Sequence, residues 1–357
     1  MDHVIDRAAA IRALEAQLNC DPAAMIALAR QKAAIGDRLG AARLCLDAIE
    51  NPRCPPEARA IAAELLGGGV PRWHFVIVRD AVRNMAYQRA IERAVFPGCT
   101  VFEIGTGTGL LAMMAARAGA ARVVTCEADP AIALAAERVI ARNGLSDRVR
   151  VIARHSSELD PVADLGGPAD VLVSEIVSND LLGEFALDAM EDAIGRLVKP
   201  GGSIIPVRGR ILVALAEDRR EALAHMPSDC GFDLSPFDAL EKPFREISVR
   251  DPRTVLRSDP AILFEFDFSS GAPYVPERAS LRLESFGGTV GGTIQWIELD
   301  MDNAASYRNR PGTDTGSCWS PVFRPFFRTL ETRKGELLGI ESSHDRSAIR
   351  VWTVPTG

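Results

Sequence analysis

The chain has 357 residues, 47% of them hydrophobic and 25% charged, and a formal net charge of −7. Such a length allows two or three domains with a sizeable core. The acidic balance disfavours a general nucleic-acid binder, which carries a basic excess, and mildly favours a cationic ligand through the long-range field. The opening MDHVIDRAAA lacks the apolar core of a secretory signal, and no apolar run reaches the length of a membrane span. Seven scattered cysteines, none in a C-x-x-C pair, predict free thiols in a reducing cytoplasm rather than a zinc site.

In chain order, residues 1–70 are rich in alanine, leucine and arginine with helical periodicity. Within them DPAAMIALARQKAAIGDRLGAARLCLDAIENP (21–52) starts on Asp-Pro, breaks at Gly36-Asp37 and stops at Asn-Pro, which predicts two antiparallel helices. The pair is similar to one tetratricopeptide unit; a single unit builds no solenoid, so this segment reads as a helical appendage. Residues 71–205 alternate helix and strand and predict a doubly wound, mostly parallel sheet. From 206 to 357, RGRILVALAE, ILFEFDFSS, ERASLRLESF and GGTIQWIELDMD are short alternating runs separated by Gly, Pro and Asp. They predict an antiparallel β-barrel or sandwich, interrupted at 217–260 by a helical insertion.

VFEIGTGTG (101–109) sets Gly105, Gly107 and Gly109 between a strand and a helix. A nicotinamide fingerprint needs glycine at 110, where Leu110 stands; the spacing suits a cofactor whose amino-acid moiety lies against the turn. RVVTCE ends the second strand on Glu127, where an acid can hold both hydroxyls of a ribose. His155-Ser156-Ser157-Glu158 follows the third strand, where an adenine edge would lie. Together these features resemble a class I S-adenosylmethionine-dependent methyltransferase. Upstream, Asp80, Arg83 and Tyr87 share one helix face, and Arg83 suits a carboxylate partner.

SEIVSNDLLGE (174–184) raises a separate question, because Glu175 closes a buried strand and Glu184 follows nine positions later. Oxygen and thiol acceptors of a methyl group usually want a histidine or lysine base, and none stands at this strand end. Paired carboxylates suit a guanidinium, planar and cationic, with donors in a fixed fork. Its lone pair is delocalised, so drawing charge toward the bound nitrogens leaves the remaining one more nucleophilic, and one acid can accept the proton.

This stretch resembles the double-E hairpin of the protein arginine methyltransferases. The Asp80–Arg83–Tyr87 helix, GTGTG, Glu127, HSSE, GFDLS (231–235) and SCW (317–319) extend the resemblance over about 72–357. It implies a Rossmann-like methyltransferase domain followed by a β-barrel, S-adenosyl-L-methionine as cofactor, and a homodimer with no nucleic-acid or membrane partner. By resemblance Glu175 and Glu184 are the catalytic clamp and Trp319 part of the pocket wall. The cofactor would be held by His74, Arg83, Glu103, the three glycines, Glu127, Ala128, Ser156 and Ser157.

Two departures stand out. Cys318 replaces a histidine that braces the hairpin in the family, and VPRWHF replaces an aromatic Tyr-Phe-x-x-Tyr lid before His74. Both alter the peptide-facing pocket. The expected activity is transfer of one methyl to a terminal guanidinium nitrogen, with free L-arginine favoured over arginine in a protein. A non-catalytic scaffold for the helical segment, or a methyltransferase for another amine, is the alternative.

Overall fold

The computed structural model describes residues 21–220, 231–240, 242–271, 273–313 and 316–354. Its described part forms two compact units that do not follow chain order. One holds the residues up to Val78 with Val95–Asp170; the other holds Arg79–Ala94 and the chain from Val171 onward.

The first unit opens with the predicted helical hairpin, α1 (Pro22–Ala34) and α2 (Arg38–Glu50), followed by α3 (Pro56–Gly67). Asp21 and Asp37 cap α1 and α2, accepting from the amides of Ala23 and Gly40 at 3.3 and 2.8 Å. Between the helices Gly36 turns the chain at φ +84°. Ile26, Ala29, Cys45, Ala48 and Ala62 pack into one small core. The short helix α4 (Trp73–Ile77) buries no residue.

Next come β1 (Thr100–Ile104), α6 (Leu110–Arg117), β2 (Arg122–Cys126), α7 (Pro130–Arg142) and β3 (Val149–Ile152), while α5 (Ala81–Ala94) belongs to the second unit. β1, β2 and β3 pair in parallel, Val101 opposite Val123 and Val124 opposite Arg150. Central Val101, Phe102, Val123 and Val124 are fully buried, as strands covered on both faces require. The helical hairpin is fastened to α7 by charge: Arg138 pairs with Asp47 and Glu50, and Arg142 reaches Glu50 at 2.9 Å. Arg38 meets Asp129, the N-cap of α7, at 2.9 Å.

The second unit contains α5 (Ala81–Ala94), β4 (Ala169–Ser174, begun in the first unit), α8 (Ala186–Arg196) and β5 (Val198–Ile205). Strand order in the first sheet is β3-β2-β1-β4-β5. An antiparallel sheet follows, with β6 (Arg208–Asp218), β7 (Arg245–Glu246), β8 (Thr254–Leu256), β9 (Ala261–Asp267), β10 (Glu277–Asp300), β11 (Ser306–Arg308), β12 (Val322–His344) and β13 (Ile349–Val354). Its main path runs β13-β12-β10-β6-β8.

Two expectations change here. ERASLRLESF and GGTIQWIELDMD, which read as separate strands, are one strand of 24 residues, β10. The glycines between them serve register shifts at Glu284/Phe286 and Val290/Gly292 instead of a turn. The insertion at 217–260 holds, in its described part, a 3₁₀ turn (Ser235–Leu240) and the short strands β7 and β8 rather than helices; residues 221–230 lie outside the described part. No helix among the described residues is long and apolar enough to cross a membrane.

Candidate functional site

In the first unit, the β1–α6 turn is built from backbone. The amides of Gly105 and Thr106 both donate to the Cys126 carbonyl at 3.0 Å, and Gly109 donates to Thr106 at 2.7 Å. Gly105, Gly107 and Gly109 sit at φ +82°, +51° and +79°, a region glycine enters without steric cost. A side chain at 109 would press on Ile140 at 3.2 Å, so this glycine serves packing. A Cβ on Gly107 would meet nothing within 4 Å. That open space above a tight turn leaves room for a ligand to approach the backbone.

Glu127 stands beside the turn. One carboxylate oxygen accepts from the Gly107 amide and the other from the Asp129 amide, both at 3.0 Å. Both bonds orient the carboxylate and leave further lone pairs, which two vicinal hydroxyls can satisfy. Glu103 and Ser156 are buried, whereas Ala128 and Ser157 are exposed. Ser157 bonds the His155 ring at 2.8 Å, so HSSE is a self-bonded turn. His74 is half-buried, stacked on Trp73 at 3.6 Å and bonded to the Pro71 carbonyl.

In the second unit, α5 and β4 position the charged cluster. Asp80 caps α5, accepting from the Arg83 amide at 2.9 Å, and Tyr87 donates to the Ser174 carbonyl at 3.0 Å. Arg83 is buried; it donates to Asn84 at 2.7 Å, lies 5.1 Å from the Tyr87 ring centre and pairs with Glu175 at 2.5 Å. Both partners of that pair are almost wholly buried, with side-chain exposures of 4% and 8%. Burial pushes the Glu175 carboxyl up to about 7; Arg83 opposes the shift, while Glu184 and Asp80 add to it. Oε1 of Glu175 is buried without a hydrogen-bond partner among the described residues.

The loop between the two glutamates holds an unusual backbone. Leu181, Glu184 and Phe185 take positive φ of 71°, 57° and 56°, a conformation non-glycine residues rarely adopt and one that clusters at functional sites. Ser178 fixes the loop, donating to Asp180 at 2.5 Å and accepting from the Gly183 amide at 2.8 Å. A Cβ on Gly183 would fall 2.5 Å from the Ser178 side chain, so only glycine fits.

Residues 317–320 hold this loop. The Trp319 indole donates to the Val177 carbonyl at 3.0 Å, and the Ser320 amide donates to the Asn179 side chain at 2.8 Å. Trp319 is 5% exposed and meets the Tyr307 ring edge-on at 5.2 Å. Asp80 accepts from the Cys318 amide at 3.0 Å and from the Tyr307 hydroxyl at 2.5 Å, and Tyr307 also bonds Ser317 at 2.5 Å. Burial raises the pKa of the Cys318 thiol well above the ordinary thiol range, and the neighbouring Asp80 adds to the shift.

Sequence reading singled out Asp80, Arg83, Glu175 and Trp319, and the fold joins them in one cluster. It missed Tyr307, Asn179 and Ser317. Tyr307 left a faint signal: it is one of three tyrosines in the chain.

Residues 86–232 match the model of the ribosomal protein L11 methyltransferase family. The arginine N(omega)-methyltransferase of Streptomyces achromogenes subsp. streptozoticus is 38% identical over 304 residues, 83% of this chain and 84% of that protein. Protein arginine N-methyltransferase 7 of Oryza sativa subsp. indica is 34% identical over 257 residues; the match spans 64% of this chain and only 35% of that longer protein. Among solved structures, the Trypanosoma brucei PRMT1 enzyme–prozyme heterotetrameric complex with AdoHcy superposes with a TM-score of 0.66 at 22% identity. That alignment covers 76% of this chain and 89% of the other. Protein arginine methyltransferase 10 of Arabidopsis thaliana gives 0.62 at 20% identity, over 78% and 94%. At these identities the structural likeness speaks for the fold.

Proposed function

The chain belongs to the S-adenosylmethionine-dependent arginine N-methyltransferases, and from that premise we propose that its acceptor is free L-arginine, methylated once on a terminal nitrogen. When bound, the cofactor supplies an electrophilic methyl on a sulfonium sulfur. The guanidinium nitrogen that accepts this methyl gives up one proton, which one of the two acids can take.

The chain's own residues do the rest. Gly105, Gly107 and Gly109 would leave room for the cofactor's amino-acid end, and Glu127 would accept from its ribose hydroxyls. His74, Glu103, Ala128, Ser156 and Ser157 are the further residues that would hold the cofactor. Glu175 and Glu184 grip the guanidinium and draw its charge onto the bound nitrogens, with Trp319 as one wall. Arg83 balances the charge of Glu175.

One observation carries the choice of a guanidinium: the buried Glu175 carboxylate already pairs with the Arg83 guanidinium through one oxygen, while Oε1 is buried without a donor. A second guanidinium offers the missing N–H. For a free amino acid, support comes from the Streptomyces relative, matched over most of its length and named for arginine rather than a protein.

Three roles follow for the segments: an accessory helical segment at 1–70, a cofactor-binding domain at 71–205 and an acceptor domain at 206–357. Exposed Phe232, Leu234, Phe237 and Leu240 support homodimerisation through 231–240. Free Cys45, Cys54, Cys99, Cys126 and Cys318 support a cytoplasmic setting. Incubation with methyl-labelled cofactor and either L-arginine or arginine-rich peptides, read by product mass, tests the acceptor. Monomethyl-L-arginine is the expected product; label confined to peptides overturns the proposal.

A further inference from the structure

Gln295 and Arg324 sit on the sheet face that carries the Tyr307–Trp319 cluster. Directly opposed residues in an antiparallel ladder share a face, and so do residues an even number apart along a strand. Tyr307 pairs with Leu299, Val322 with Gln295 and Arg324 with Thr293. Positions 293, 295 and 299 of β10, with 322 and 324 of β12, therefore look the same way as Tyr307. Ile294, Trp296 and Phe323 look the other way, into a separate apolar core.

On this face two donors are left over. Arg324 Nε donates to Gln295 Oε1 at 3.0 Å, which fixes the amide so that Nε2 of Gln295 points its hydrogens elsewhere. Gln295 is 1% exposed, and its Nε2 is buried with no acceptor among the described residues. Arg324 is half-buried, with its guanidinium carbon 5.2 Å from the Phe244 ring centre. Burial lowers its pKa, and Asp180 of the glutamate loop acts on it in the opposite sense. A buried amide donor without an acceptor forfeits its hydration with nothing in return, so these groups await an acceptor.

The geometry points to a carboxylate-binding subsite: Gln295 Nε2 and the Arg324 guanidinium receive the α-carboxylate of the free amino-acid acceptor. Planar guanidinium and carboxylate form paired charge-assisted bonds, and the amide adds a third donor. Position agrees with reach. Val322, opposite Gln295, follows Trp319 and Ser320 by three and two residues, roughly 7–10 Å of strand. An extended arginine spans roughly 7 Å from guanidinium carbon to carboxylate. Arginine within a peptide has an amide there, and an amide brings no charge to Arg324.

This inference rests on free arginine being the acceptor, so the test separates the two. The purified full chain is assayed with L-arginine, with agmatine (arginine without its carboxylate) and with an arginine-containing peptide, for wild type, Arg324→Gln and Gln295→Glu. Wild type should prefer L-arginine over agmatine at least 10-fold in kcat/KM, and Arg324→Gln should bring that ratio close to one. Gln295→Glu, isosteric and anionic, should do the same by neutralising Arg324, and it decides the matter if Arg324→Gln fails to fold. An unchanged ratio in the soluble variants, or wild type that does not discriminate, overturns the subsite while leaving L-arginine the acceptor. Methylation of the peptide alone overturns the acceptor reading itself.

Discussion

The glycine turn of the first unit and the glutamate loop of the second are both tight, yet they are held by opposite means. Around Gly105–Gly109 the partners are main-chain carbonyls apart from the Glu127 carboxylate on the Gly107 amide, and the positive φ angles fall on glycines. Between Glu175 and Glu184 the positive φ angles fall on Leu181, Glu184 and Phe185, and the fixing bonds come from Ser178, Asn179 and Trp319. The first turn is specified by what its residues lack. The second is specified by neighbours brought from far along the chain, at the expense of strain and a buried ion pair.

The comparison breaks hardest at Arg83. Arg83→Ala leaves Glu175 a buried charge without its counter-ion, which costs about 3–5 kcal/mol. Denaturant unfolding should show the loss, and Arg83→Ala/Glu175→Gln should recover part of it because the neutral amide no longer needs a cation. Additive losses in the double variant would mean that the pair does not act as a unit.

Removing charge from the clamp comes next. Glu175→Gln or Glu184→Gln should lower turnover by about 10²-fold, while calorimetry finds cofactor-product affinity little changed. Glu127→Ala should show the reverse pattern. The pH dependence follows from the carboxyl at about 7. A clamp that needs the anion gains activity as pH rises through about 7, and that limb should vanish in Glu175→Gln. Stability moves oppositely: the folded-state pKa lies above the unfolded value, so the native state retains its proton longer and stability falls from about pH 4.5 to about 7.

Two smaller changes sharpen the contrast. Gly183→Ala drives a Cβ to 2.5 Å from both Cβ and Oγ of Ser178 and should cost about 1–3 kcal/mol; Ser178→Gly in the same chain, which removes both atoms, should return part of that clash, read as a shift in denaturation midpoint. Tyr307→Phe removes only the hydroxyl that bonds Asp80 and Ser317. It should raise the acceptor KM about five-fold, the loss of about 1 kcal/mol expected for one hydrogen bond, without a matching change in cofactor affinity. Cys318→His should offset it, since an imidazole N–H can donate to Asp80; no effect on KM would remove Tyr307 from the brace.

Legibility in the sequence followed the same division. The parallel strands, α6, α7 and the glycine turn were readable because local pattern dictates them: apolar runs, Gly spacing and caps at Asp21, Asp37 and Asp129. Glu175 and Glu184 were readable as an unusual pair, but the Arg83 partner of Glu175 lies 92 positions upstream and no local signal joins them. Tyr307–Asp80 spans 227 positions, and Asn179–Ser320 spans 141. Gly287 and Gly288 were misread as a strand break because glycine marks both turns and register shifts. Cys318 drew attention as a missing brace, whereas Asp80 is satisfied by a tyrosine hydroxyl and a main-chain amide that side-chain identity at 318 does not report.

The ion pairs between the first helices and α7 carry one practical lesson. Arg38, Asp47 and Glu50 belong to the appendage, while Asp129, Arg138 and Arg142 belong to the helix that follows Glu127. Trimming the gene to begin at residue 71 would therefore do more than shorten the product. It would strip counter-charges from α7 and leave Asp129, Arg138 and Arg142 without the partners that the appendage supplies.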